Sequence, residues 1–358
     1  MHGRIKKQEP LGDPRLAQAG LVSPMVTVVV TNYNYENYIA ACLESIARQS
    51  YSRFKCVIVD DCSQDSSVRK IREFIDVQGM NSRFELVRHK ENGGQMAAFK
   101  TGLEHSEGPF VVFVDSDDIL FDDFIESHVA MHLAYLPVAF TSSNQYQINE
   151  HDEVVAGNHP DLQHGEQTVH VGPRPLHKPF WIWATTSSMM FRKSILELIT
   201  PEDCKPFRIC ADNYLCHYAN LIGGSMLIPT VHGCYRRHGE NGFSKNPIMG
   251  GRLPTGDIRK HPHHEVVKAK ILDHLLQNSD KFISLLTFEG FAHTILKVHS
   301  LSQALALKTG LHPSDCKLPS KTQFIACRLR MSIHSIRSYA ASIASLLIGS
   351  RRDSKAPS

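Results

Sequence analysis

The amino-acid sequence predicts an α/β fold in which a mostly parallel sheet is flanked by helices. Two observations indicate this fold: strand-like apolar runs alternate with helix-like segments from residue 25 to residue 115, and the strand-like runs end in polar turns. Such alternation is typical of βαβ units, whose right-handed crossovers bring the turns after the strands to one edge of the sheet. Open α/β sheets bind their ligands at that edge.

The predicted strands and helices follow one another in strict order. The first strand, residues 25–31, is rich in β-branched residues, as strands buried on both faces are. The helix after it, residues 39–50, repeats apolar residues such as Ile39 and Leu43 at helical spacing. The next elements are a strand at 54–60, a helix at 67–75, a strand at 84–89, a helix at 95–106 and a strand at 109–115.

The pattern loosens beyond residue 140. Residues 150–178 are rich in His, Gly and Pro, which predicts a long loop that could cover a site. The remaining predictions are a strand, turn and helix at 181–199, a helix closed by two glycines at 211–224, a pair of strands at 225–238 and mostly helix at 264–350.

The bulk composition is that of a globular protein. The chain has 358 residues, enough for one large domain with an appendage or for two domains. Hydrophobic residues make up 42% and charged residues 21%, and the formal net charge is only +3. So small a charge does not suggest a nucleic-acid-binding protein.

The cysteines and the N-terminus indicate a reducing compartment. The nine cysteines form no C-x-x-C pair, so we expect reduced thiols rather than a zinc ribbon. The N-terminal residues lack the apolar segment of a secretory signal, and no apolar run reaches the ~18 residues of a membrane span. We therefore expect a cytoplasmic protein. The basic amphipathic stretch 324–352 leaves open a contact with the inner face of a membrane, packing on the rest of the protein, or a dimer contact.

The strand at 109–115 ends in the acidic sequence Asp115, Ser116, Asp117, Asp118. Carboxylates this close repel one another and raise each other's pKa unless a cation lies among them. The segment is therefore either a solvated turn before a helix, with Asp118 at the helix start, or a metal site at the end of a strand.

Three other turns should meet this acidic segment at the same edge of the sheet. They are residues 31–34, the pair Asp60 and Asp61, and residues 91–94, which include two glycines. Glycines let the backbone approach a ligand closely, and carboxylates are hard oxygen ligands for a hard cation. This combination suits a nucleotide diphosphate bound together with a divalent metal.

With these motifs the chain resembles the family 2 glycosyltransferases, which have the GT-A fold, over roughly residues 25–245. Each motif alone is only moderately specific, but six occur in the family's order. They are VTVVVTNYNYENYIAACLESIARQSY (26–51), VIVDDCSQDSS (57–67), ENGGQMAAFKTGL (91–103), VVFVDSDDIL (111–120), ADNYL (211–215) and YRRHGENGFS (235–244).

The resemblance implies a metal-dependent, inverting transfer of a sugar from a nucleotide-diphosphate sugar, with UDP the expected nucleotide, to an acceptor hydroxyl. The acceptor would be a glycan or a lipid-linked molecule in polysaccharide or glycoconjugate biosynthesis. The implied division of the chain is a flexible segment 1–23, a glycosyltransferase domain 24–250 with nucleotide-binding (24–120) and acceptor (121–250) halves, and a helical region 251–358.

The resemblance also implies roles for individual residues. Asp117, the last residue of the DXD motif, would bind Mg²⁺ or Mn²⁺ with His238, and Asp212 would be the catalytic base. Asp115 would contact the sugar or ribose. The other implied nucleotide-binding residues are Thr31 and Tyr33 in the base pocket, Asp60 and Asp61, one of which accepts a hydrogen bond from the base, and Asn92, Gly93 and Gly94.

Some residues depart from the family pattern or have alternative roles. The family often has Glu where Ala211 precedes Asp212, and Asn or Arg where this chain has Lys100. Asp212 could instead be a helix N-cap. Trp181 and Trp183 could form a stacking platform for an acceptor sugar, or pack in the core.

Two other functions compete with sugar transfer. The strand and acidic turn also resemble the nucleophile strand of haloacid-dehalogenase phosphatases, although three βα units precede it here and that family usually has the motif near the start of its domain. A non-catalytic protein that binds nucleotide sugars is the second alternative, favoured by Ala211.

Overall fold

The structure is a computed structural model that describes residues 23–134, 138–157, 167–174, 181–238 and 262–282. The described residues up to 238 form one compact unit, and residues 262–282 belong to a second. The expectations for residues 1–22, for the division near residue 250 and for the basic stretch 324–352 fall outside the described residues.

A single mixed sheet of ten strands runs through the first unit. The strands are β1 (Val26–Asn32), β2 (Phe54–Asp60), β3 (Phe84–Arg88), β4 (Phe110–Asp115), β5 (Ile119–Leu120), β6 (Phe140–Ile148), β7 (Val154–Ala156), β8 (Val169–Val171), β9 (Met189–Arg192) and β10 (Ser225–Arg236).

Helices connect and cover these strands. Those of the first unit are α1 (Ile39–Ala47), α2 (Ser67–Val77), α3 (Gln95–Glu104), α4 (Phe124–Ala134), α5 (Lys193–Ile199) and α6 (Ala211–Gly223). Two short 3₁₀ turns lie at Thr186–Ser188 and Lys205–Phe207. The second unit contains α7 (Pro262–Gln277) and α8 (Ser279–Phe282), in the region expected to be helical.

The order of the strands confirms the α/β class and shows that the sheet is purely parallel only in its first half. The main path runs β3-β2-β1-β4-β9-β6-β10-β5. Strands β1 to β4 pair only in parallel with one another, while β9 is antiparallel to both β4 and β6. The sheet is therefore parallel where the βα alternation predicts it and mixed beyond β4.

Strand β1 pairs with β2 on one side and with β4 on the other, and this pairing fixes where the three strands end relative to one another. Asn32 is the register partner of Asp60 on β2, and Thr31 is the partner of Asp115 on β4. Because all three strands run in the same direction, their carboxyl ends meet at one edge of the sheet. The predicted convergence of these turns is confirmed.

The two faces of β1 pack differently. Val26, Val28 and Val30 lie in the apolar core with residues of α1, α2 and α4. On the other face α3 crosses β1 so closely that a Cβ added to Gly102 would lie 2.1 Å from Val29 Cγ1. Each Val buried here stabilises the fold by about 1.5–3 kcal/mol relative to exposure.

Three features differ from the sequence-based expectation. Strand β6 was not predicted, because its sequence FTSSNQYQI is mostly polar although eight of its nine residues are buried. Residues 225–236 form one strand rather than two, with register shifts on either side of Val231. The expected loop 150–178 contains the short strands β7 and β8.

Two further observations concern the cysteines and the length of the helices. The cysteines of the described part of the chain, listed here, are free thiols: Cys42, Cys56, Cys62, Cys204, Cys210, Cys216 and Cys234. Among the described helices, none combines the length and apolar character needed to cross a membrane.

Two buried histidines support the sheet from α4. His128 bonds Thr141 Oγ1 through Nδ1 at 2.6 Å, and His132 Nε2 lies 3.1 Å from the Met190 carbonyl oxygen. Burial lowers the pKa of His132 to about 4 and that of His128 well below its usual range. Both side chains are therefore neutral in the folded protein at neutral pH.

Acid should remove stability through His132. Its folded pKa of about 4 lies below the ordinary value of 6.5, so the unfolded chain takes up the proton first as the pH falls. We expect acidification from pH 7 to pH 4 to lower the free energy of unfolding of the unaltered protein by up to about 3 kcal/mol more than that of His132→Gln. Urea unfolding at several pH values measures it; exposed His151→Gln is the control, and a pH-independent difference would contradict the prediction.

Candidate active site

The acidic turn, residues 115–118, is closed by its own backbone and held by β10. The Asp118 N–H donates to the Asp115 carbonyl oxygen at 3.0 Å. Asp118 is fully buried, and its Oδ1 accepts the Arg236 N–H at 2.9 Å. The expectation that Asp118 begins a helix is wrong, because β5 follows it and α4 begins only at Phe124.

Asp115, at the end of β4, lies close to other carboxylates. Burial, followed by the nearby charges of Asp117 and Asp212, raises its pKa to about 7. Its N–H donates to Ser187 Oγ at 3.0 Å, and the Thr31 hydroxyl lies 3.4 Å from its Oδ1. The carboxylates of Asp117 and Asp212 are therefore each close enough to influence that of Asp115.

Asp212 is the second residue of α6 and not its N-cap. The N-cap is Cys210, whose backbone is left-handed with φ 57°. The Asn213 N–H donates to Asp212 Oδ1 at 2.8 Å, and burial raises the pKa of Asp212. Thr186, in the 3₁₀ turn, lies close enough to both Asp212 and Asp115 for its side chain to oppose the rise in their pKa values.

Gln95 is a site residue that the sequence reasoning missed. Its Oε1 accepts the Ala211 N–H at 2.8 Å, and its Nε2 lies 3.5 Å from Asp115 Oδ1. The amide thus connects the first residue of the helix that carries Asp212 to the acidic turn. Its position directly after Gly94, at the start of a helix facing the same edge, was the available signal.

Asp61 holds the glycine turn, residues 91–94, through both carboxylate oxygens. Oδ1 accepts the Gly93 N–H at 2.8 Å and Oδ2 accepts the Gly94 N–H at 2.7 Å. His89 Nδ1 lies 2.7 Å from the same Oδ1, and its Nε2 lies 2.8 Å from Thr101 Oγ1. The contacts observed for Asp61 are therefore to the protein's own turn.

The glycine turn also docks on the segment before α6. Gly94 has φ 84°, and a Cβ at this position would lie 2.5 Å from Arg208 Cα. The Gln95 N–H donates to the Arg208 carbonyl oxygen at 2.9 Å. The Arg208 guanidinium binds Asn92 at its carbonyl oxygen, 2.9 Å away, and at its side-chain oxygen.

Asp60 lies at the end of β2 in a fully buried network. The Asn32 side-chain amide donates to its Oδ2 at 2.9 Å, and the Ser63 N–H donates to its Oδ1 at 3.1 Å. Arg88 Nε lies 3.5 Å from Oδ1 and is half exposed. In the turn after β1, Tyr33 is 44% exposed, as a side chain available to a ligand would be.

Asp117 and His238 face each other as a pair. His238 Nε2 lies 2.9 Å from Asp117 Oδ2, and both side chains are nearly buried. Within the ranges that the structure describes, no group of three or more His, Cys, Asp or Glu side chains is arranged to hold a metal ion. The pair supplies a carboxylate oxygen, which is a hard donor that suits Mg²⁺ and Mn²⁺, and an imidazole nitrogen, which is a softer second donor.

The two tryptophans do not form an exposed platform. Trp183 is fully buried, its indole N–H donates to Ser225 Oγ at 2.9 Å, and its ring packs on Phe140. Core packing, the alternative role, is therefore the one observed for Trp183. Trp181 is partly exposed and packs edge-on against Trp183 with the ring centres 5.5 Å apart.

The chain matches known proteins over the region that contains this site. The profile of glycosyl transferase family 2 matches residues 27–198. The glycosyltransferase GlyA of Streptococcus pneumoniae is 38% identical over 130 residues, which are 36% of this chain and 18% of GlyA. A protein of Escherichia coli, the UDP-Glc:α-D-GlcNAc-diphosphoundecaprenol β-1,3-glucosyltransferase WfgD, is 30% identical over 131 residues, 37% of this chain and 49% of WfgD.

A solved structure has a similar fold. It is the crystal structure of residues 1–349 of Staphylococcus aureus TarS in complex with UDP, with a TM-score of 0.52, 19% sequence identity, and coverage of 85% of this chain and 80% of that one. The matches to GlyA and WfgD span less than half of those proteins.

Asp61→Asn should destabilise the protein. The NH₂ group that replaces one carboxylate oxygen cannot accept a hydrogen bond, so either the Gly93 N–H or the Gly94 N–H would lose its acceptor. Losing hydrogen bonds to a charged acceptor costs about 1.5–3 kcal/mol. Urea unfolding should detect a loss of that size, whereas exposed Asp203→Asn should change stability by no more than about 0.5 kcal/mol. Equal stabilities for Asp61→Asn and the unaltered protein would show that Asp61 does not hold the turn.

Proposed function

We propose, from its membership of glycosyl transferase family 2 through residues 27–198, that this glycosyltransferase moves a sugar from a nucleotide-diphosphate sugar to an acceptor hydroxyl, inverting the anomeric carbon. The observation that carries the proposal is the cluster of Asp115, Asp117 and Asp212 at the carboxyl edge of the parallel strands. A family 2 domain, with three βα units before the acidic turn, argues against the phosphatase alternative.

The donor is proposed to be a UDP-sugar. WfgD carries UDP-Glc in its name, and the TarS crystal contains UDP. Tyr33 is exposed beside the buried Asp60 network, so the turns after β1 and β2 offer an aromatic face and polar groups to a base. The backbone of Asn92, Gly93 and Gly94, fixed by Asp61 and Arg208, would line the nucleotide from the neighbouring turn.

Asp117 and His238 would hold Mg²⁺ or Mn²⁺. Two protein donors leave several coordination positions for diphosphate oxygens and water, which is how Mg²⁺ is usually bound with phosphate substrates. When bound, the cation supplies positive charge that stabilises the departing diphosphate. Asp115, enclosed beside Asp117, would contact the sugar or ribose.

Asp212 is the proposed general base. Burial raises its pKa, and a carboxylate with a raised pKa accepts a proton from a hydroxyl more readily. The Asn213 N–H donates to the carboxylate and orients it, and Gln95 fixes the start of its helix. The acceptor oxygen would attack the anomeric carbon as its proton passes to Asp212, and the bond from that carbon to the diphosphate oxygen would break to release the nucleoside diphosphate. No covalent enzyme intermediate is required, which accounts for inversion.

The acceptor is proposed to be a glycan or a lipid-linked molecule in polysaccharide or glycoconjugate biosynthesis. Support comes from the name of WfgD, whose acceptor is an undecaprenol-linked sugar. Such an acceptor would require the enzyme to work at the inner face of a membrane. Partly exposed Trp181 is a candidate acceptor contact, whereas buried Trp183 is not.

A screen of nucleotide sugars tests the proposed reaction. Incubation with each donor and Mn²⁺ should release nucleoside diphosphate from one donor, and EDTA should stop the release. The same samples should release no phosphate from simple phosphomonoesters. Binding of UDP without release from any donor, with or without added acceptors, would favour a non-catalytic binding protein instead.

Two substitutions should separate the base from the metal site. Asp212→Asn removes the proton acceptor but leaves the nucleotide contacts, so turnover should fall by about 10²–10⁴ with UDP affinity unchanged. Asp117→Ala should abolish turnover and also the Mn²⁺-dependent part of UDP binding, with the fold intact by circular dichroism. Turnover assays and calorimetric UDP titrations measure both effects. Wild-type-like rates for Asp117→Ala would remove the metal-site assignment.

A further inference from the structure

Four residues around the acidic turn, Asp117, His238, Tyr38 and Arg236, form a closed ring of contacts. Asp117 Oδ2 lies 2.9 Å from His238 Nε2, and the His238 ring stacks on Tyr38 with the ring centres 4.9 Å apart and 24° between the planes. The Arg236 guanidinium covers the Tyr38 ring at 4.9 Å. Arg236 Nε donates to the Asp117 carbonyl oxygen at 2.7 Å, which completes the ring.

Tyr38 contacts both His238, which belongs to the proposed metal-binding pair, and Arg236. It is contributed by the turn that leads from β1 into α1, a part of the chain distant in sequence from both β4 and β10. A stacked ring limits the tilt of His238, and a hydrogen bond from Nε2 then aims at Asp117. Tyr35 adds an edge contact to His238, with the ring centres 5.6 Å apart.

Arg236 fixes the backbone of the acidic turn in the same assembly. Beyond its contact with Asp117, its Nη1 donates to the Asn149 carbonyl oxygen at 2.9 Å, and its Nη2 lies 2.5 Å from Asp152 Oδ1. The guanidinium is almost fully buried, so these contacts leave it few alternative positions. One face of Tyr38 therefore meets a cation that cannot readily move away.

We propose that Tyr38 is a positioning residue for the metal-binding pair: its ring, backed by Arg236, orients His238 toward Asp117. The inference rests on the proposed function, because it assigns Asp117 and His238 to a divalent cation. Residues that orient metal ligands without touching the metal typically contribute 10–100-fold to metal affinity. Tyr38 has this kind of role here through the stacking of its ring on His238.

The test measures Mn²⁺ affinity in the presence of UDP by electron paramagnetic resonance. Tyr38→Leu removes the ring and should weaken Mn²⁺ binding at least about tenfold. Tyr38→Phe keeps the ring and should keep the affinity of the unaltered protein. Tyr146→Leu is the control for loss of a partly exposed tyrosine, since Tyr146 packs on Phe121 and lies outside the closed ring of four residues. Unchanged affinity in folded Tyr38→Leu, or an equal loss in Tyr38→Phe, would overturn the proposal.

A double-mutant cycle shows whether Tyr38 acts through His238. The Tyr38→Leu effect should vanish when His238→Gln has already removed the imidazole, whereas additive losses would overturn the proposal. Tyr38→Met, which keeps an apolar side chain of similar length, replaces Tyr38→Leu if that variant fails to fold. If the unaltered protein binds no Mn²⁺ with UDP, the proposed metal site itself fails; if it does bind and Tyr38 has no effect, only this inference fails.

Discussion

The crowding of carboxylates at the end of β4 is the constraint on which the site depends. Asp115, Asp117 and Asp118 lie within four residues and, with Asp212, share a largely buried space. Burial and mutual repulsion raise the pKa of Asp115 and of Asp118, so such a group is stable only where donors are aimed at it. The donors come from elsewhere in the chain: the Arg236 backbone N–H donates to Asp118, and at longer distance the Gln95 side-chain amide lies near Asp115.

The surrounding turns are held by side chains that cross between strands. Asp61 at the end of β2 fixes the glycine turn after β3, and Arg208 fixes that turn to the segment before α6. Asn32 at the end of β1 reaches Asp60 on β2. The left-handed residues Asn34, Cys62 and Cys210 all lie in these turns, where surrounding contacts support conformations that L-residues rarely adopt.

The sequence was informative where local patterns matched the fold. The first four strands and their helices follow from βα alternation, and the position of Asp60 and Asp115 at one edge of the sheet, on either side of β1, follows from parallel strand order. Strand β6 could not be predicted, because its polar residues are buried by neighbours distant in sequence. Gln95 and Tyr38 escaped notice for a similar reason: their roles arise from partners more than 100 residues away, Ala211 for one and His238 for the other.

The docking of the glycine turn on Arg208 has a consequence for attempts to change which nucleotide sugar the protein uses. No side chain fits at Gly94 while Arg208 Cα lies so close, and the Arg208 guanidinium spans both polar oxygens of Asn92. A glycine turn taken from a relative would therefore have to dock on a segment around Arg208 that differs from the one it packs against in that relative. Residues 91–95 and 208–211 form a single packing unit, so chimaeras should exchange the two stretches together.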